Sequence, residues 1–130
     1  MSNIKEKFID ALAKLEADEN VDEIISLFAD DCEVGNVATH ENMSGTEGAR
    51  QFWTNYRKTF GERKSTFKNK LETDGRAALE WTSVGTSANG SEIYYEGVSI
   101  LETDGDKIKR FFAYFNPAKL GREIEEKKSA

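Results

Sequence analysis

One cysteine, one proline and one histidine are all that this 130-residue chain has of those types. A lone Cys32 excludes an intramolecular disulfide, and Cys32 with His40 falls short of a zinc ligand set, so no metal or cofactor is expected. Cys32 reads as a small buried hydrophobe. Long apolar runs are missing too: none approaches the roughly 20 residues of a membrane span. The opening MSNIKEKF has no apolar centre of the signal-peptide kind, and a cytoplasmic location is the expectation. Nor is there a basic cluster. The 18 Lys and Arg are scattered among 24 Asp and Glu, for a net charge of -6, which argues against nucleic-acid binding through phosphates.

What is present is the balance of a globular protein, with 38% hydrophobic and 32% charged residues. The length suits one domain over 1–130, with a core over about 4–117 and a charged tail over 118–130. Eight Phe, four Tyr and two Trp are enough to line a cavity as well as to fill a core.

The periodicity changes once along the chain. Ile4, Phe8, Ala11, Leu12 and Leu15 fall at helical spacing, with Ser2 or Asn3 as cap, and predict a first helix to about Ala17 that the acidic break Glu16 to Asn20 ends. A second, short helix is expected over Val21 to Ala29. Asp30-Asp31 then turns into a strand over Cys32 to Val37, and Ala38 to Ser44 reads as a polar loop. A third helix over about Thr46 to Phe60 carries Ala49, Phe52, Trp53, Tyr56 and Phe60 on one side, and Gly61 is placed to stop it. From Arg63 the period becomes 2. Four strands separated by Thr73-Asp74-Gly75, Ala88 to Ser91 and Thr103 to Asp106 form an antiparallel meander, because such short connections cannot cross over. Helices first and strands later predict an α+β fold.

This order, with LFADDCEV, then SGTEGARQFW and a late aromatic strand RFFAYFNP, resembles the SnoaL-like and ketosteroid-isomerase-like branch of the nuclear transport factor 2 superfamily over about Phe8 to Pro117. The resemblance implies a cone-shaped α+β barrel, with three N-terminal helices packed in a curved antiparallel sheet. It also implies an apolar pocket and a homodimer formed through the outer sheet face. Fold leaves activity open, since the family hosts isomerases, cyclases, hydrolases and binding domains. The isomerases' general-base aspartate matches Asn36 here, an amide that cannot accept the proton. Their oxyanion-binding tyrosine matches Phe8, and their protonated aspartate matches about Val98, so steroid isomerisation is not expected.

Strand alternation and the resemblance together put Trp81, Ser83, Tyr94, Glu96, Val98, Phe111, Ala113 and Phe115 on the concave side. With Phe8, Leu12, Phe28, Trp53 and Tyr56 they describe an aromatic-lined pocket for a small hydrophobic or amphipathic ligand. In this register Glu96 is a carboxylate among aromatics and a candidate acid or base. A one-residue slip would put Tyr95 inside and Glu96 outside. Asn36 could orient a carbonyl or satisfy a strand end; His40 has the intrinsic pKa for acid–base work or sits on an exposed loop. The opposite register face, Ile93, Tyr95, Leu101, Phe112 and Tyr114, would be the dimer interface. Glu96, Asn36 and His40 are thus the catalytic candidates of a metal-free isomerase, cyclase or hydrolase. A non-catalytic binding or dimeric interaction module is the alternative.

Overall fold

The computed structural model describes residues 4–18, 20–38, 42–87 and 90–116. His40, the caps Ser2 and Asn3, Ala88 and Asn89 of one expected turn, Pro117 and the 118–130 tail lie outside the described residues. The elements run α1 (Ile4–Asp18), α2 (Asp22–Ile25), β1 (Phe28–Asn36), β2 (Met43–Ser44), α3 (Gly45–Thr59), β3 (Phe60–Thr73), β4 (Arg76–Ser87), β5 (Glu92–Asp104) and β6 (Lys107–Phe115). Six strands in the order β2-β1-β6-β5-β4-β3 make one open, mixed sheet. Three helices pack against it, as the α+β expectation has it.

The helix stripes form as the spacing predicts. Ile4, Phe8, Ala11, Leu12 and Leu15 of α1 are buried, and Ala49, Phe52 and Trp53 of α3 meet them in a single core with Leu79, Leu101, Ile108 and Phe111 of the sheet. The meander also forms, with antiparallel pairing of β3 to β4, β4 to β5 and β5 to β6. Asp74-Gly75 closes the first hairpin with Gly75 at φ 74, a backbone conformation that a side chain disfavours.

Several elements depart from the sequence reading: Met43–Ser44 of the expected loop pairs with β1 as β2, and Phe60, expected to end the third helix, opens β3. The second helix is shorter than expected, because Leu27 and Phe28 leave it for the sheet: Ile108 donates its N–H to Leu27 O at 2.8 Å, and Phe28 pairs with Ile108. Asp30 and Asp31 accordingly stand exposed within β1, at an irregularity in the ladder, and not in a turn. The sheet is also not purely antiparallel. β1 runs parallel to β6, with Val34 opposite Phe111 and Asn36 opposite Ala113. A parallel neighbour needs a long crossover, and everything from β2 to β5 supplies it.

The larger correction concerns the faces of β5. Ser83 pairs with Tyr95, Trp81 with Gly97 and Leu79 with Ser99, so these share the inner face. Ile93, Tyr95, Ser99 and Leu101 are buried. Tyr94, Glu96 and Val98 therefore lie on the outer face, Tyr94 at 47% exposure and Val98 paired with Tyr114. Of the residues expected outside, only Phe112 and Tyr114 are on that face; Ile93, Tyr95 and Leu101 belong to the core. Both parity sets of β5 carry large apolar side chains, so alternation alone does not select between them. Gly97 selects: a Cβ built there would lie 2.6 Å from Cζ2 of Trp81, and only glycine admits that ring beneath the strand.

No helix among the described residues is long and apolar enough to cross a membrane.

Candidate functional site

The inner face carries two kinds of side chain. The first is an aromatic shell. Trp53 of α3 is ringed by Phe52 and Phe111 (centroids 4.9 Å away in each case), Tyr56 (5.3 Å), Phe8 (5.9 Å) and Phe28 (6.2 Å). Further along the sheet, Trp81, Tyr95 and Phe115 pack edge to face or tilted at 5.2–6.3 Å. Leu12, Ser83 and Ala113 are buried with them.

The second is a polar cluster where the C-terminal turns of α1 and α3 meet the start of β3. Glu16, one turn beyond Leu12 on α1, is buried. Its Oε2 accepts from Tyr56 OH at 2.7 Å and from Ser65 Oγ at 2.7 Å, and its Oε1 accepts from Ser65 N at 3.0 Å. Arg63 faces it, Nε to Oε2 at 3.6 Å, each side chain only 6% exposed. The guanidinium lies over the Tyr56 ring, 4.0 Å from its centroid, and 5.2 Å from that of Tyr95. Arg63 Nη2 donates to Ser83 Oγ at 3.2 Å and to the Tyr95 hydroxyl.

Register explains why these groups meet. Ser65 pairs with Ser83, and Ser83 with Tyr95, so the three form one cross-strand row on the inner face, and Arg63, two residues before Ser65, shares it. Ser65 and Ser83 hydroxyls lie 2.7 Å apart. Ser65 gives its single proton to Glu16, so Ser83 must donate to Ser65. The hydrogen bonds then run in one direction, from the Arg63 cation through Ser83 and Ser65 to the Glu16 anion. Burial pushes the Tyr56 phenol well above its ordinary pKa, with the Glu16 charge adding and Arg63 opposing. Burial also raises Tyr95, again against Arg63. Both phenols are therefore protonated at neutral pH and act as hydrogen-bonding hydroxyls, not as bases.

The three sequence-based catalytic candidates do not converge. Glu96 is exposed on the outer face, where Lys68 Nζ donates to it at 3.3 Å and Tyr94 OH at 3.4 Å. Asn36 ends β1 partly buried, and its Oδ1 accepts from Ala38 N at 2.8 Å, a strand-end turn. His40 lies outside the described residues. Among the predicted lining residues, Phe8, Leu12, Phe28, Trp53, Trp81, Ser83, Phe111 and Ala113 are buried inside, and Tyr56 and Phe115 are partly buried against the same core. Cys32 is buried, with its thiol pushed up by desolvation and donating to Gly45 O at 3.4 Å.

Glu16 and Arg63 are not legible as site residues from their place in the chain, because each stands at an element boundary, where a charged side chain reads as solvated. The signal was there for Glu16: Ile4, Phe8, Leu12 and Glu16 follow one another at four-residue steps, which sets a carboxylate on the apolar stripe. For Arg63 the signal was its parity with Ser65 on β3. Among the described residues no group of three His, Cys, Asp or Glu side chains comes together as metal ligands would.

Comparison with known proteins agrees with this architecture. No curated protein matches the chain. Among solved structures, TerC co-crystallised with polyporic acid superposes with a TM-score of 0.80 at 18% identity, covering 95% of this chain and 99% of that one. An LEH-like epoxide hydrolase of M. tuberculosis gives 0.74 at 12% identity, covering 96% and 92%. A nuclear transport factor 2-like protein of unknown function from an Exiguobacterium species gives 0.74 at 22% identity, covering 88% and 98%. Identities this low speak for the fold alone. The model of the SnoaL-like domain matches residues 6–111, most of the chain. The chain therefore belongs to the SnoaL-like domain family, with the α+β cone fold of the nuclear transport factor 2-like superfamily.

Proposed function

We propose that this domain binds a small hydrophobic or amphipathic ligand between its helices and the inner face of the sheet. The aromatic shell covers the ligand's apolar body, and the cluster of Tyr56, Arg63, Ser83 and Tyr95 orients its polar end. The observation that carries this reading is the buried Glu16–Arg63 pair set among aromatic rings. A buried ion pair is a poor source of stability, because apolar residues of similar volume commonly do as well or better. Its presence on the inner face is better explained by recognition. Relatives of the same fold that act on or were crystallised with small organic molecules, an epoxide hydrolase and TerC with polyporic acid, support the same reading.

Binding is favoured over turnover. The oxygens of Glu16 accept from Tyr56 and Ser65, so a proton taken from a substrate would first have to displace one of them. Asn36, Phe8 and Val98, at the positions matched to steroid-isomerase machinery, carry no acid or base. Metal-free isomerase, cyclase or hydrolase chemistry is the second reading, and the Tyr95 hydroxyl beside Arg63 is what favours it, as a donor to a developing oxyanion. We further propose self-association through the outer face, where Val84 beside Tyr94, Val98 beside Tyr114 and Ile100 beside Phe112 form an apolar band. A cytoplasmic location belongs to the same reading, since a single buried cysteine calls for no oxidising compartment.

Native mass spectrometry of the protein purified from cell extract, with organic extraction of what it carries, tests the binding. A small apolar molecule is expected on the wild type and reduced occupancy on folded Arg63→Met. No bound molecule, together with no thermal stabilisation by any member of a hydrophobic metabolite panel, overturns the reading. Conversion of the retained ligand on incubation would move the assignment to the enzyme. Sedimentation at micromolar concentration should give a dimer that Tyr114→Lys dissociates, and a monomeric wild type would refute the outer-face proposal.

A further inference from the structure

The chain's two tryptophans are both buried, yet their indole N–H groups are treated differently. Trp81 Nε1 donates to Ser99 Oγ at 2.9 Å. Trp53, only 1% exposed, has an equally buried Nε1 that meets no acceptor among the described residues. Five aromatic rings surround it and none offers an oxygen to that N–H: Phe8, Phe28, Phe52 and Phe111 have no polar atom, and the hydroxyl of Tyr56 is directed to Glu16. Buried indoles ordinarily find a partner, and leaving the donor unmet is costly. A phenylalanine would fill an all-apolar site without that cost.

We propose that Trp53 Nε1 donates a hydrogen bond to a neutral acceptor oxygen of the bound ligand, a ketone or ether. The inference rests on the ligand-binding reading above and adds to it a binding residue and a chemical class. The indole N–H is a donor only, so its partner must be an acceptor. The acceptor is neutral because the rings touching Trp53 carry no charge to balance an anion. The charged pair reached through Tyr56, Glu16 with Arg63, already balances itself at 3.6 Å. Trp53 thus reads the ligand's oxygen from the helix side, within the aromatic shell.

The test is a heteronuclear spectrum of the two indole N–H groups, assigned with Trp81→Phe. The probes are cyclohexanone, methylcyclohexane and cyclohexanecarboxylate, which have no aromatic ring current of their own. Cyclohexanone should move the Trp53 indole proton saturably and leave that of Trp81 in place. Methylcyclohexane should bind about tenfold more weakly, the equivalent of one lost hydrogen bond, without moving it. In Trp53→Phe the preference for the ketone over the hydrocarbon should vanish. Cyclohexanone that perturbs core methyl groups but not the Trp53 indole overturns the proposal and leaves the binding reading standing. Tighter binding of the carboxylate overturns the neutral class. If no probe perturbs any core resonance up to millimolar concentration, the binding reading and this proposal fall together.

Discussion

Replacing Arg63 by Met removes the cation from a pair whose members are each 6% exposed. At their 3.6 Å separation and an effective dielectric of about 20, the attraction is roughly 4–5 kcal/mol. Breaking such a pair from one side costs about 3–5 kcal/mol, because the remaining charge stays buried. The stranded Glu16 carboxylate would keep its hydrogen bonds from Tyr56 and Ser65, which places Arg63→Met near the low end, about 3 kcal/mol. For a domain of this size that corresponds to a fall in Tm of roughly 10–15 °C. Glu16→Gln should cost about 2–3 kcal/mol, since Arg63 keeps Ser83, Tyr95 and the face of Tyr56. The double variant buries no charge and should lose about 2 kcal/mol less than the sum of the two single losses. Urea unfolding followed by tryptophan fluorescence measures all four proteins, with an unchanged m value showing that only stability has moved. Strict additivity, or an Arg63→Met variant within about 0.5 kcal/mol of wild type, would refute the reasoning.

The close approach at Gly97 makes Gly97→Ala unfavourable, because the added methyl meets the backbone oxygen of Tyr114 as well as Trp81 Cζ2 at 2.6 Å and Cη2 at 2.8 Å. A loss of about 1–3 kcal/mol with altered Trp81 emission is expected, and a variant as stable as wild type would refute this close approach of β6 and the ring to Gly97. Tyr56 and Tyr95 have folded-state pKa values raised by burial above the unfolded value of about 10. The native state then holds these protons more tightly than the unfolded state, so stability is full below that value and falls as pH rises past it. Phenolate absorbance should show a late component that coincides with alkaline unfolding and shrinks in Tyr56→Phe and Tyr95→Phe. Ionisation of both residues in the folded protein would contradict their burial.

The succession of elements and the buried stripe of each helix are written locally in the chain. The 3.6-residue spacing of Ile4 to Leu15 and of Ala49 to Tyr56, and the short turns after Arg63, are local properties. The family was legible for the same reason, in LFADDCEV and the SGTEGARQFW helix start. Tertiary structure alone decided three things. It drew Phe28 out of the second helix and into β1, because β6 offered backbone partners that a short helix could not match. It chose the parity of β5, where Tyr94, Glu96 and Val98 were as plausible inside as Tyr95, Ser99 and Leu101, through the fit of the Trp81 ring over Gly97. And it assembled the polar cluster, in which Glu16 and Arg63 stand 47 residues apart in sequence yet 3.6 Å apart in space. Charges read singly along a chain look solvated. Only the sheet register and the ends of α1 and α3 bring these two together inside, where each needs the other.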